Sequence, residues 1–407
     1  MKWLHALAAG ALAACSSPAS FEAPLSDAPW EASFERTNGW NGGDIAHALE
    51  IGGGRTLWLF GDSIVGPVRE GARVGGESKF VRGAIAWHAT PKRGAAPETL
   101  EFAAEQAHDG VPRVAWAAPS SSDWPADAWC WLMGDGALVR SDRGDARLVL
   151  FASVFGPAGN PEGMWNFRRL GGQIVSVENP ADAPHEWRAT LRVHPLVESL
   201  PRHGEAPRRS DDWGAAVVTW PADRSDLEAR TLYVFGVRTF EDRDRGLLLA
   251  RCPEAALDRP ESWEFFDGGA WTREARAARE LLRGVPDEFT VQRVELDGRD
   301  ALVLVHGEPM LGRRTLARTA NSPTGPWSAP SALFEAPEPA NDGRLLVYAS
   351  KGHAHLSRPG ELLISYAVNS TDFGQIFADA SLYRPRFVRV PLAKLPRPPD
   401  QSTRSTR

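Results

Sequence analysis

Short runs of apolar and β-branched residues, bounded by Gly, Pro, Asp and Asn, dominate the pattern of this chain. Five stand out: RTLWLFGDSI (55–64), RLVLFASVF (147–155), RTLYVFGVRT (230–239), DALVLVHGEP (300–309) and ELLISYAVNS (361–370). Each reads as a strand. A turn signal and a second strand candidate precede each one: DIAHALEI (44–51), DGALVR (135–140), WGAAVVTW (213–220), EFTVQRVEL (288–296) and HAHLSR (353–358). Third strands follow as VRGAIAWH (81–88), GGQIVSVEN (171–179), GLLLARC (246–252), RTLARTA (314–320) and RPRFVRV (384–390). Several units then close on a Trp-bearing segment: HEWRATLRV, ESWEFFDGG or GPWSAPSAL. Five copies of a unit of up to four strands, at long irregular spacing, predict an all-β five-bladed β-propeller over residues 30–393. Two packed β-sandwiches are the alternative on pattern alone. The segment WEASFERT (30–37) is expected to act as a strand that completes the last blade and latches the ring. One helix is expected over 272–282 (TREARAARELL), between blades three and four.

Composition agrees with this reading. The 38 Gly and 32 Pro are turn residues in quantity. A hydrophobic share of 43% supplies a core, and a net charge of −6 argues against a nucleic-acid partner. The 16 Trp offer flat apolar faces for sheet packing or sugar stacking.

The start, MKWLHALAAGALAAC, carries Lys2, an apolar run from Leu4 to Ala14, and Cys15. The run is short of the roughly 20 residues that a membrane span needs, so residues 1–14 read as a signal peptide. Leu12-Ala13-Ala14-Cys15 matches a bacterial lipobox, making Cys15 the expected lipidation site; an ordinary secretory signal with a chance cysteine is the other reading. Residues 15–29 form a flexible tether and 394–407 a disordered tail. The expected location is outside the cytoplasm, with an acyl anchor at a bacterial membrane, the outer membrane or the cell surface. Membrane contact is expected through that anchor only, and the protein is expected to be a monomer. Cys130 and Cys252 are either one disulfide or two buried thiols.

In a propeller the innermost strands converge on one funnel. Their expected first residues are Asp44, Asp135, Trp213, Glu288 and His353, so acids recur there in three blades. Asp44 and Asp62 flank a hairpin centred on Gly52-Gly53-Gly54, which makes them cross-strand partners with Cβ atoms roughly 5 Å apart. Two carboxylates that close cannot both ionise comfortably, so one becomes an acid while the other remains a base. Glycoside hydrolysis requires such a division. Turn capping at strand ends is the structural alternative for both. Asp135, in a Gly-Asp-Gly turn, and Glu288, at the head of an apolar strand, are further catalytic candidates. His353 and His355 share a spacing seen in metal ligands, but no third ligand accompanies them, so no metal site is assigned. No organic cofactor is implied, and a structural Ca²⁺ in the funnel is left open.

At these residues the chain resembles the DUF4185 and DUF5005 group of exported bacterial proteins. The likeness rests on AsnGlyGlyAsp (41–44), TrpLeuPheGlyAspSer (58–63), PheValArgGlyAlaIleAlaTrp (80–87), TrpLeuMetGlyAspGly (131–136), GluPheThrValGln (288–292) and IleSerTyrAlaValAsnSer (364–370), among others. The resemblance implies a five-bladed propeller. The DUF4185 branch includes endo-D-arabinanases, whose catalytic aspartates correspond to Asp44 and Asp62. Ser63, where Thr is frequent, and Ala46-His47, where small hydroxylated residues are frequent, are departures.

The leading expectation is therefore an exported glycoside hydrolase acting on an arabinan-like or related polysaccharide. Arg82, Trp131, Trp213, Lys351, His353, Asn369 and Tyr383 are expected to line its sugar site. A surface glycan-binding lipoprotein without turnover is the second reading, and a protein-interaction scaffold the third.

Overall fold

A computed structural model describes residues 26–400 except 93, 104–115, 117–122, 142–143, 161–165, 221–229 and 310. The signal segment and Cys15 lie outside the described residues. Five antiparallel sheets succeed one another along the chain. The first holds Trp40–Gly43 and His47–Glu50, then Arg55–Val65, Lys79–Ala89 and Glu101–Phe102. Blade two runs from Trp129–Trp131 and Gly136–Arg140 through Ala146–Pro157 and Phe167–Val177 to Ala189–His194. Blade three begins with Ser210–Thr219, Thr231–Thr239 and Arg245–Pro253; blade four begins with Phe289–Leu296, Arg299–Gly307 and Arg314–Ala320. Blade five comprises Leu345–Gly352, Glu361–Ser370 and Pro385–Pro391.

Packing shows that the sheets form a ring. Leu57 and Leu59 of blade one share a core with Leu148 and Leu150 of blade two. Phe151 of blade two packs with Trp213 and Trp263 of blade three. Phe235 and Leu249 then meet Phe289 and Leu304 of blade four. Val303 and Val305 meet Ile364 and Val368 of blade five. Leu363 and Phe387 return to Trp58 and Phe60 of blade one. Five seams thus hold five cores, the arrangement of a five-bladed β-propeller. The second strand of each blade is covered on both faces, which explains why those runs read as nearly continuous apolar segments rather than alternating ones.

Five expectations change. Residues 30–37 are not a strand: Ala28–Ser33 is a helix, capped by the Asp27 carboxylate on the Trp30 amide, with Pro in its first turn and Glu31 beside it. The ring is nevertheless closed by this region, because Ser26 bridges Val388 and the Asp27 amide donates to Phe387 O at 2.8 Å. The expected tether therefore ends before Ser26. Residues 272–282 are not an α-helix; only Ala275–Ala277 makes a 3₁₀ turn, and the Leu281 amide bonds to Leu247 O at 2.8 Å. Tertiary pairing there outweighs the helix propensity of Ala, Arg and Glu. The innermost strand of blade five is Leu345–Gly352, while 353–358 contains the turn Ala354–Leu356. Residues 394–400, expected as tail, lie along blade four, where the Thr319 hydroxyl donates to Pro396 O at 2.7 Å and Leu395 is buried. Cys130 and Cys252 are buried free thiols, each pushed up to about 12 by burial.

Candidate active site

The innermost strand of blade one is interrupted at the residue that matters most. Gly43 pairs with Ser63, and His47 pairs with Leu59, both with the strand Arg55–Val65. Between them Ile45 and Ala46 take positive φ of 73° and 42°, conformations that side chains with a Cβ rarely adopt. The Asp44 amide still donates to Asp62 O at 3.2 Å, and Gly61 N donates to Asp44 O at 3.1 Å. Asp44 and Asp62 therefore face each other as the Gly52–Gly54 turn predicts, but across a kink instead of a regular ladder. Gly61 makes the room: a Cβ there would sit 2.3 Å from Asp44 Oδ1. Innermost strands of blades two, three and five also lose register in mid-strand, around 132–135, 214–215 and 349–350. Such breaks re-aim side chains, here toward the shared axis.

Each carboxylate has a different environment. Asp44 Oδ2 accepts from the hydroxyls of Tyr348 at 2.9 Å and Tyr383 at 3.2 Å. Its Oδ1 is shut off from solvent without a hydrogen bond from the described residues. Burial raises Asp44 well above the ordinary carboxylate range, and the charges of Asp62 and Glu288 push the same way. Asp62 accepts from Trp131 Nε1 at 2.6 Å and from the Arg82 guanidinium at 2.8 Å. Burial raises Asp62 too, but Arg82 and Trp131 both favour its ionised form. The surroundings therefore favour ionisation at Asp62 over ionisation at Asp44.

Glu288 immediately precedes the innermost strand of blade four. It makes no hydrogen bond or ion pair with the described residues, and burial pushes it up to about 7 against the pull of Lys351. Lys351, itself 1% exposed, donates to Phe289 O at 3.2 Å. Burial lowers its pKa, opposed by Glu288 and Asp135. Asp135 is differently placed. Its Oδ1 meets His47 Nε2 at 2.8 Å and the Gly136 amide at 2.7 Å, and its Oδ2 takes the Val217 amide at 2.8 Å. It ties blades one, two and three together and has little capacity left for a substrate.

The expected sugar-contacting residues divide. Arg82 and Trp131 hold Asp62; Tyr383 holds Asp44; Asn369 donates to the Tyr348 hydroxyl at 3.0 Å. His353 does not belong to this group: it lies past the strand end, fully buried, bonded to Ser365 Oγ at 2.8 Å and packed on Trp58. Trp213 borders a small recess between blades two and three. Its ring, however, packs against Phe265 and is 3% exposed, too covered to take a sugar face. Neighbouring Asp212 lines that recess and pairs with Arg169 at 2.9 Å. Sequence reading missed Tyr348. The signal was its rarity, one of four Tyr in the chain, on an innermost strand that had been placed several residues too late. Among the described residues no three His, Cys, Asp or Glu side chains gather to hold a metal ion.

The solved structure of a candidate hydrolase from Bacteroides ovatus is similar over 90% of this chain and 89% of its own, at TM-score 0.65 and 20% identity. At that identity the likeness concerns the fold. Two sugar-processing enzymes match more distantly. The Podospora anserina α-L-arabinofuranosidase solved with cellotriose is 12% identical, at TM-score 0.41, over 91% of this chain and 94% of its own. The Phanerochaete chrysosporium exo-β-1,3-galactanase solved with β-1,3-galactotriose is 9% identical, at TM-score 0.41, over 86% of this chain and 60% of its own. No curated protein matches the sequence. Residues 27–393 match the family described as a domain of unknown function, DUF5005, and the chain belongs to that family.

Proposed function

We propose that this protein is an exported, lipid-anchored glycoside hydrolase that cuts an arabinan-like or related furanoside polysaccharide by carboxylate acid/base catalysis. One observation carries the reading: two facing carboxylates have different surroundings, Asp62 against the Arg82 guanidinium and the Trp131 ring N–H, Asp44 against the hydroxyls of Tyr348 and Tyr383. Asp62, held by Arg82 and Trp131, is the anion that activates water or attacks the anomeric carbon. Glu288, unpartnered and with a pKa of about 7, keeps its proton in slightly acidic solution and passes it to the leaving oxygen. Asp44, whose burial disfavours its charge, is held in position by Tyr348 and Tyr383. Arg82 and Asn369 stand where substrate hydroxyls would arrive. Asp135 and Lys351 set the shape and charge of the funnel without touching the reacting bond. Furanoside selectivity and the Cys15 anchor rest on the resemblance to exported arabinanase-related proteins and on the lipobox. The test is incubation of purified protein with arabinans, galactans and other bacterial glycans, reading reducing-end release. Release that Asp62→Asn abolishes supports the proposal. Tight binding with no release by the wild type replaces it with a glycan-binding role.

A further inference from the structure

Among the described residues four large apolar side chains are exposed, and the two aromatic ones touch each other. Phe80, 40% exposed on blade one, meets Phe373, 56% exposed on the helix Phe373–Ala378 of blade five, with ring centroids 5.8 Å apart. The contact continues inward. The Arg82 guanidinium lies 5.2 Å from the Phe80 ring and 4.5 Å from the Trp129 ring. Trp129 meets Phe167 at 6.4 Å, and Phe167 packs on Trp131 at 4.8 Å. Arg82 and Trp131 are the two donors to Asp62. A line of rings therefore runs from blade five to blade two and takes in both donors to the candidate catalytic anion.

Exposed rings of this size cost free energy in water unless something covers them. Sugars present flat C–H faces that suit an aromatic ring, and hydroxyls that suit the guanidinium beside it. The line is longer than one sugar ring can cover. We infer that the Phe373–Phe80–Arg82–Trp129 track seats successive sugar units of a polysaccharide chain on one side of the cleavage point, so that the substrate is bound along its length and not by its terminus alone. The inference rests on the glycoside hydrolase reading.

The experiment uses the full chain with Phe373→Ala, Phe80→Ala and, as a control on the outer strand of blade two, Val193→Ala. Each is assayed for hydrolysis of polymer and of a short aryl glycoside. Each is also run in native gels containing the polymer, with melting temperature as the folding check. The expected result is that both Phe variants lose about tenfold more kcat/KM on polymer than on the aryl glycoside and lose gel retardation, while Val193→Ala behaves as wild type. Equal losses on both substrates with retardation intact overturn the track and leave the hydrolase reading standing. Retardation without cleavage by the wild type removes the hydrolase reading, and the track then stands or falls on whether Phe373→Ala abolishes retardation. A wild type that neither cuts nor is retarded by any glycan overturns both. Self-association that depends on Phe373, seen by sedimentation, overturns the track in favour of a second copy of the chain.

Discussion

Asp135 and Glu288 each immediately precede an innermost-strand segment, Gly136–Arg140 in blade two and Phe289–Leu296 in blade four, yet the fold treats them in opposite ways. Asp135 receives three hydrogen bonds, two of them from backbone amides, and joins three blades. Glu288 receives none from the described residues and is pushed up to about 7. A buried acid surrounded by N–H donors becomes cement. One left without them becomes a proton carrier whose charge state is open to change. Position in a propeller thus nominates an acid, and its donors decide what it does.

The largest effect that would test this contrast lies on Asp62, the candidate base or nucleophile. Asp62→Asn should lower kcat by about a thousandfold, since a neutral amide cannot serve as base or nucleophile. Its melting temperature should stay within a few degrees of wild type; a collapse in stability would move Asp62 to the Asp135 class. Asp135→Ala should do the reverse. Stranding His47 and two buried amides should cost roughly 3 kcal/mol of stability in urea unfolding, with the activity of the folded fraction largely kept.

Glu288→Gln gives a third, pH-dependent signature. A glutamate at about 7 in the folded chain, against an ordinary 4.5, binds more protons folded than unfolded. Its contribution is fully present below its unfolded pKa and is lost as pH rises through 7. The Gln variant should therefore be more stable than wild type at pH 8, by up to about 3 kcal/mol, with the gap narrowing on acidification. Wild-type activity should fall above neutrality for the same reason, and a pH–rate profile flat across that range would remove Glu288 as proton donor. The smallest expected change belongs to Tyr348→Phe, which deletes one donor to Asp44. It should raise the Asp44 pKa further and cost a few-fold in kcat, about 1 kcal/mol, with KM little changed.

Much of this contrast was legible in the sequence. Five apolar runs gave five second strands, and the triple-Gly turn placed Asp44 opposite Asp62. Legibility stopped where the backbone leaves regular geometry. The kink at Ile45 and Ala46 has no sequence signal comparable to a Gly or Pro, and it decides where Asp44 points. At blade three, taking Trp213 as the first residue of the strand misled: the strand begins at Ser210 and the Trp213 ring is packed in the core. At blade five, assigning the innermost strand to 353–358 promoted His353 and hid Tyr348. The helix at Ala28–Ser33 was readable, since Asp27, Pro29 and Glu31 form a start signal.

The clip formed by Ser26 and Asp27 on Phe387 and Val388, reinforced by the Asp27–Arg389 ion pair, covers the outer strand of blade five. A recombinant chain begun at Trp30 would strip the Phe387 carbonyl and Val388 of their cover on the free margin of Pro385–Pro391. Unshielded strand margins of that kind recruit one another, so such a truncation should precipitate or dimerise edge to edge, whereas one begun at or before Ser26 should stay dispersed.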